Sequence, residues 1–278
     1  MDAMPDLLPE TMMGTTIHPT TYIHPHAEIG SGVTIGPFCT VGANVAIGDG
    51  TKLVSHVVVE GHTTIGEGVT LFPFCTVGLE PQDFKYKGEP TRCVIGDRTH
   101  IREHCTIHRG TVTGKGITTV GSDCLIMAVV HVAHDCTLGN GVIIANNAVM
   151  GGHVSIADHA VIGGAAAIHQ FVEIGRGAMI GGVTGVGGDV IPFGSVIGNR
   201  GHLAGLNVIG LRRRGYDRAQ IHRLHTAFQT LFSHVGVFSD RLAETRAQFG
   251  TDPLVAEVLA FVDLDHQPRG LIRTIPHS

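Results

Sequence analysis

The sequence predicts a mainly β chain: a three-sided parallel β-helix of about ten coils, closed by a small C-terminal α-helical domain. Three observations carry this expectation. Aliphatic residues recur every sixth position between Ile17 and Pro192, a second and smaller residue stands four places after each, and beyond Pro192 the apolar period becomes helical.

Residues 1–16, with Met12, Met13 and two prolines, read as an N-terminal extension, and residues 17–198 carry the repeat. The aliphatic beat runs Ile17, Ile23, Ile29, Ile35, Val41, Ile47, Leu53, Val59, Ile65, Leu71 and Val77, continues through Ile95, Ile101 and Ile107, and resumes from Val120 to Val186. With Val33, Cys39, Val45 and Thr51 as the second inward positions, each six-residue side sends two side chains to the interior. Glycine often follows the aliphatic, as at Gly36, Gly48 and Gly139, and is expected to make the corner between sides. Three sides make a coil of roughly eighteen residues, and coils stack about 4.8 Å apart, giving a prism roughly 45 to 50 Å long.

The beat breaks twice. Leu79 to Val94 (LEPQDFKYKGEPTRCV) is charged and proline-marked, and Ile107 to Val120 are 13 apart, one residue beyond two hexads. Segments 79–94 and 108–119 are therefore expected to leave the prism as loops, where function often resides; a tolerated insertion is the alternative. Residues 199–278 read as three helices: one capped by Asp217 and carrying Ile221, Leu224, Phe228, Leu231 and Phe232, one capped by Ser239, and one opened by Asp252 and Pro253. Such a domain would cover the unpaired end of the coil stack.

Composition narrows the class. With 43% hydrophobic residues there is material for a continuous core, and no run is long and apolar enough to span a membrane, so an integral membrane protein is excluded and the cytoplasm is the expected compartment. A net charge of −5 argues against a nucleic-acid partner. Cys39, Cys75, Cys105, Cys124 and Cys136 fall on inward positions and read as core filler, leaving Cys93 in the loop. The run Arg212, Arg213, Arg214 is either a solvated face or an anion site.

Nineteen histidines make any single one a weak clue, and a polar exterior side chain is the plain reading of each. Steps of eighteen, however, stack His134, Gly152 and Gln170 in one column, with Asp135, His153 and Phe171 on one side and Ala133, Gly151 and His169 on the other. With His131 these form an outer patch holding a base that titrates near neutrality, a bare backbone N–H and hydrogen-bonding side chains, the requirements of acyl transfer. A zinc site is the rival chemistry. The three-histidine sites of γ-class carbonic anhydrases use two histidines five apart on one strand, a spacing absent here, so no metal is expected.

Seven segments in order carry a more specific likeness: SHVVVEGHTTIG (55–66), QDFKYKGEPTR (82–92), IREHCTIHRGT (101–111), HVAHDCTLGN (131–140), ANNAVMGGHVSI (145–156), IGGAAAIHQF (162–171) and NVIGLRRRG (207–215). They resemble the acyl carrier protein-dependent UDP-N-acetylglucosamine O-acyltransferases of lipid A synthesis, within the hexapeptide-repeat acyltransferases. That resemblance implies a left-handed β-helix, a homotrimer with a cleft at each junction, acyl carrier protein and UDP-N-acetylglucosamine as substrates, and no cofactor. It implies His134 as general base, Asp135 as its orienting carboxylate and Gly152 as the oxyanion donor; the column count also puts Asp135 below His153, leaving its partner open. Gln82, Asp83, Lys85, His131, His153, His169 and Gln170 are implied in substrate contact, Asn207, Arg213 and Arg214 at the nucleotide end, and Gly164, Gly182 and Arg200 along the acyl pocket. Ile209 replaces a common acidic residue and Arg200 a common histidine, while Gly182 hints at a longer chain. Two alternatives remain: the sister N-acyltransferase, whose uridine-binding domain has no room before Ile17, and a noncatalytic trimeric scaffold that binds acyl carrier protein through basic helices.

Overall fold

The structure, a computed structural model, describes residues 14–264 and 268–275. Most of the expected extension lies outside the described residues, and its end already belongs to the repeat: Thr16–Ile17 is a strand, and the Thr15 hydroxyl donates to the Gly30 carbonyl at 3.1 Å. The chain divides into two compact units, residues 1–136 and 137–278.

In the first unit short parallel strands form three sheets, each residue paired with the one eighteen places on, as Thr34 with Lys52, Thr40 with Val58 and Ile47 with Ile65. Both inward positions of each hexad are buried. Ile35, Leu53, Leu71, Ile101 and Ile126 stack in one column, each at most 1% exposed. Burial of one such side chain contributes about 1.5–3 kcal/mol, so the stack is the chief source of stability. Buried threonines keep hydrogen bonds: Thr51 donates to the Gly66 carbonyl and Thr99 to that of Gly121, both at 2.8 Å.

The corners show why a larger side chain is excluded after the aliphatic. Gly36 is not left-handed; a Cβ there would lie 1.8 Å from the Val54 carbonyl oxygen, so close approach of the next coil is what demands glycine. The left-handed residue comes two places later and often carries a ring: Phe38, His56, Phe74 and His104 have φ between 52 and 65°. Their rings stack at centroid distances of 4.9, 4.7 and 5.0 Å, an attraction set against the roughly 1–2 kcal/mol cost of that backbone.

Two insertions lengthen the pairing interval. Thr70 pairs with His100 and His100 with Leu125. The first insertion adds twelve residues and the second seven, so the second gap is one hexad with an insertion, not two hexads and a spare residue. The loops are also shorter than expected, because Thr76–Leu79, Arg92–Ile95, Thr106–His108 and Ile117–Val120 are strands. Cys93 is accordingly not in a loop. It is fully buried, in register with Thr63 and Thr118, because inward residues counted back from Ile95 fall at every second position. All six cysteines are free and buried, and burial pushes the Cys93 thiol up to about 12 and that of Cys105 to about 11.

The second unit keeps the same register, with Val149 opposite Ala167, Ile156 opposite Ile174 and Ile162 opposite Ile180. An antiparallel pair, Gly194–Ile197 with His202–Leu206, ends the repeat. Helices α1 (Val208–Arg213), α2 (Arg218–Leu231), α3 (Phe238–Phe249) and α4 (Pro253–Val262) follow. Asp217 caps α2 reciprocally with Gln220, and Asp252 caps α4. Ser239 does not cap α3; it lies inside the first turn of the helix, which starts at Phe238 after Val237 without a side-chain cap. Six-residue α1 is too short for a periodic signal, although Asn207 accepts from the Gly210 N–H as its cap. The terminal segment returns to the repeat, with Ile272 N–H donating to the Asp189 carbonyl at 2.9 Å. Among the described residues no helix is long and apolar enough to cross a membrane.

Candidate active site

In the first unit the sequence prediction of a histidine patch becomes a defined arrangement. Asp135 occupies a left-handed corner, φ 60°, yet unlike Phe38 and Phe74 at the same kind of corner it is 0% exposed. The expectation of Asp135 on an outer patch is thus corrected. The seven-residue insertion is the physical reason: its backbone folds onto the carboxylate, with the Thr111 N–H at 3.1 Å, the Gly116 N–H at 3.0 Å and the Thr111 hydroxyl at 2.6 Å all donating. These contacts supply what a buried carboxylate loses in leaving water.

The same carboxylate meets His134 Nδ1 at 2.8 Å. His134 keeps 17% of its side chain exposed. Holding Nδ1 assigns proton exchange with a substrate to Nε2. His131 lies on the preceding strand with its Nδ1 2.7 Å from the Thr106 hydroxyl. Behind it stands His108, 6% exposed, edge-on to His131 at 5.0 Å and with its Nδ1 buried without a hydrogen-bond partner. Burial first, then the neighbouring histidines, lowers His108 to about 4 and also depresses His131. His108 was missed because it follows the beat residue Ile107, where the six-residue count predicts an outward side chain.

Loop 80–91 carries Gln82, Asp83 and Lys85. The Asp83 carboxylate accepts the Lys85 N–H at 3.0 Å, and Phe84 between them is fully exposed. Arg109, only 11% exposed, donates from Nε to the Tyr86 hydroxyl at 2.8 Å, and that hydroxyl donates to the Glu89 carbonyl at 2.6 Å. The loop is therefore pinned at Tyr86 while Lys85 faces solvent.

In the second unit His153 stacks on Phe171, centroids 4.5 Å apart and planes at 3°, and the Phe171 N–H donates to the Gly152 carbonyl at 3.1 Å. Gly152 itself is buried, not at the surface as its column suggested. His169 and Gln170 are exposed. Arg269, from the terminal segment, donates from Nε to the Gln170 carbonyl at 2.8 Å. His169, Arg200 and Arg269 line one cavity of about 670 Å³, which Gly164 and Gly182 do not line. Those two glycines stack at another corner, where a Cβ on Gly182 would lie 3.3 Å from the Gly164 carbonyl oxygen. Arg213 is exposed in α1, while Arg214 donates to the His159 carbonyl and leaves Nη1 buried without a partner. Asn207, besides capping α1, donates to the Gly177 carbonyl at 3.0 Å.

Comparisons with known proteins agree with this architecture. A family model described as UDP N-acetylglucosamine O-acyltransferase, domain 2, matches residues 189–272, and the bacterial transferase hexapeptide model matches 11–43, 26–61 and 117–152. A relative from Bartonella quintana named acyl-[acyl-carrier-protein]–UDP-N-acetylglucosamine O-acyltransferase is 47% identical over 90% of this chain and 92% of its own. One of the same name from Azorhizobium caulinodans is 45% identical over 92% and 97%. A solved UDP-N-acetylglucosamine acyltransferase from Bacteroides fragilis superposes with TM-score 0.88 at 38% identity, covering 93% of this chain and 100% of that one. The fold is the left-handed parallel β-helix with a small C-terminal helical domain.

Proposed function

The chain belongs to the acyl-[acyl-carrier-protein]–UDP-N-acetylglucosamine O-acyltransferase family, and from that membership we propose that it moves an (R)-3-hydroxyacyl chain from acyl carrier protein to the 3-hydroxyl of UDP-N-acetylglucosamine, the first step of lipid A synthesis. His134 is the general base. Its Nε2 takes the hydroxyl proton as the sugar oxygen bonds to the thioester carbonyl carbon. Asp135 holds Nδ1–H and stabilises the imidazolium. The Gly152 backbone N–H receives the oxyanion, the C–S bond then breaks, and the leaving thiolate recovers the proton from His134.

His131, His153, His169 and Gln170 contact sugar and acyl groups, and Gln82, Asp83 and Lys85 reach substrate from the loop. Asn207, Arg213 and Arg214 take the nucleotide, a reading supported by the buried, unpartnered Arg214 Nη1. Gly164, Gly182 and Arg200 belong with the acyl chain. The working form is a cytoplasmic homotrimer. The observation that carries the proposal is the exposed-edge imidazole locked to a buried, multiply hydrogen-bonded carboxylate.

The test is acyl transfer from hydroxyacyl carrier protein to UDP-N-acetylglucosamine by the parent, His134→Ala and Lys85→Ala proteins. The expected result is transfer by the parent and a loss on the order of a thousandfold in His134→Ala. Full transfer by that variant removes the base; a parent inactive with every chain length favours the scaffold. Preference for an amine acceptor favours the N-acyltransferase.

A further inference from the structure

We infer that Thr106 is a positioning residue for the transfer: its hydroxyl holds the His131 imidazole with the proton on Nε2, so that His131 gives a hydrogen bond to a substrate oxygen while His134 takes a proton. The inference rests on the acyl-transfer reading. It assigns to one contact residue a chemical role opposite to that of the base.

Strand register brings the pair together. Thr106 and His131 stand opposite one another in adjacent parallel strands and are half-buried, while Ile107 and Val132 beside them fill the core. The Thr106 hydroxyl is 2.7 Å from His131 Nδ1. A hydroxyl can give or accept, so the direction of this bond follows from what else each group reaches. Among the described residues the Thr106 hydroxyl makes no other hydrogen bond, and the Nδ1 lone pair is the acceptor within its reach. With the proton on Nδ1 instead, the hydroxyl would only accept, and its own hydrogen would face no acceptor in the protein. A bond donated by Thr106 leaves the ring proton on Nε2. Asp135 imposes the reverse on His134: a carboxylate only accepts, so its 2.8 Å contact keeps the proton on His134 Nδ1 and leaves the lone pair on Nε2.

Packing then keeps His131 uncharged. A bulge sets His108 opposite Leu79 and skips Gly78, and the His108 ring meets His131 edge-on, with planes at 81°. Burial, and after it the nearby His134, holds His131 below the ordinary imidazole range, while His108 itself lies near 4 and brings no charge of its own. The Nδ1 lone pair of His131 is occupied by Thr106, so this ring does not compete with His134 for the hydroxyl proton. What it offers a substrate is one N–H, the partner of a carbonyl or hydroxyl oxygen.

The experiment joins a tautomer measurement to kinetics. Nitrogen-15 shifts of the imidazoles in histidine-labelled protein, assigned by the signals lost in His131→Gln and in His134→Gln, should put the proton of His131 on Nε2 and that of His134 on Nδ1. Thr106→Val keeps the volume and removes the hydroxyl, so the His131 proton should spread over both nitrogens and kcat/KM should fall roughly tenfold, the size expected of one hydrogen-bonded contact. Thr106→Ser should restore both readouts, which a role in packing alone would not require. His131→Gln, which keeps an N–H donor, should retain more activity than His131→Ala. A KM rise for UDP-N-acetylglucosamine in Thr106→Val puts the receiving oxygen on the sugar, and one for the hydroxyacyl carrier protein puts it on the acyl donor. A parent with the His131 proton on Nδ1 overturns the proposal, as does a Thr106→Val protein with tautomer and kinetics unchanged, or a His131→Gln protein no better than His131→Ala. A parent that shows the two tautomers and transfers no acyl group is a separate failure, that of the acyl-transfer reading itself.

Discussion

Loops 80–91 and 109–116 both interrupt the six-residue period, yet the first turns its side chains outward and the second turns its backbone inward. In the first, Phe84 is fully exposed, Lys85 is in solvent, and the Arg109–Tyr86 contact fixes only the base. In the second, Thr111 is 2% exposed and gives its N–H and hydroxyl to Asp135. Composition separates the two. DFKYK supplies long side chains that reach, while GTVTGKG supplies small residues whose amides can close around an anion. An insertion in a rigid repeat can thus reach outward with long side chains or close its backbone around a buried carboxylate.

The sharpest way to break this comparison is at the carboxylate. Asp135→Asn should lower kcat about a thousandfold, some 4 kcal/mol, with little change in KM, because the amide no longer fixes the tautomer of His134. Steady-state kinetics beside a thermal melt decide it; a near-normal kcat would reduce the inward loop to packing.

Next in size is the pH dependence of stability behind that site. Burial holds His108 down to about 4 when folded, against an ordinary 6.5 for histidine, so the unfolded chain takes up the proton first. Its stabilising contribution is complete above pH 6.5 and is lost as pH falls toward 4, by up to about 3 kcal/mol. Urea unfolding across that window should show the slope in the parent and a flatter line in His108→Gln.

Thr111→Val removes the 2.6 Å hydroxyl bond to Asp135 and should cost about 2 kcal/mol, most of it restored in Thr111→Ser; equal melting of Val and Ser variants would discount the bond. The outward loop predicts the smallest effect. Tyr86→Phe should lower kcat/KM about tenfold, near 1.4 kcal/mol, with the melt unchanged. Combined with Lys85→Ala it should add little, since both changes act through one contact; full additivity would separate them.

Much of this was legible beforehand, and the exceptions share a cause. The beat located inward residues from Val33 to Val77 because burial in a coil depends only on position within a hexad. It misplaced Cys93 only because the count ran forward across an insertion instead of back from Ile95. Asp217 and Asp252 were readable as caps because an N-cap bond is local. Ser239 was misread for want of any test of whether its hydroxyl would reach the N–H groups of α3. His134 was singled out by counting eighteens; His108, Thr111 and Tyr86 were not, since their partners stand off the repeat's arithmetic.

By itself the sequence determined the coil, its inward residues, the places where the period fails and the helical close, because each follows from local spacing and from which side chains water rejects. The tertiary structure alone decided that loop 109–116 closes over Asp135 beside His134 and that Arg269 lies against Gln170, 99 residues away in the chain. Contacts of that kind exist only once distant segments are brought together, and the energy that selects them, the satisfaction of buried charge and backbone polar groups, has no signature in spacing.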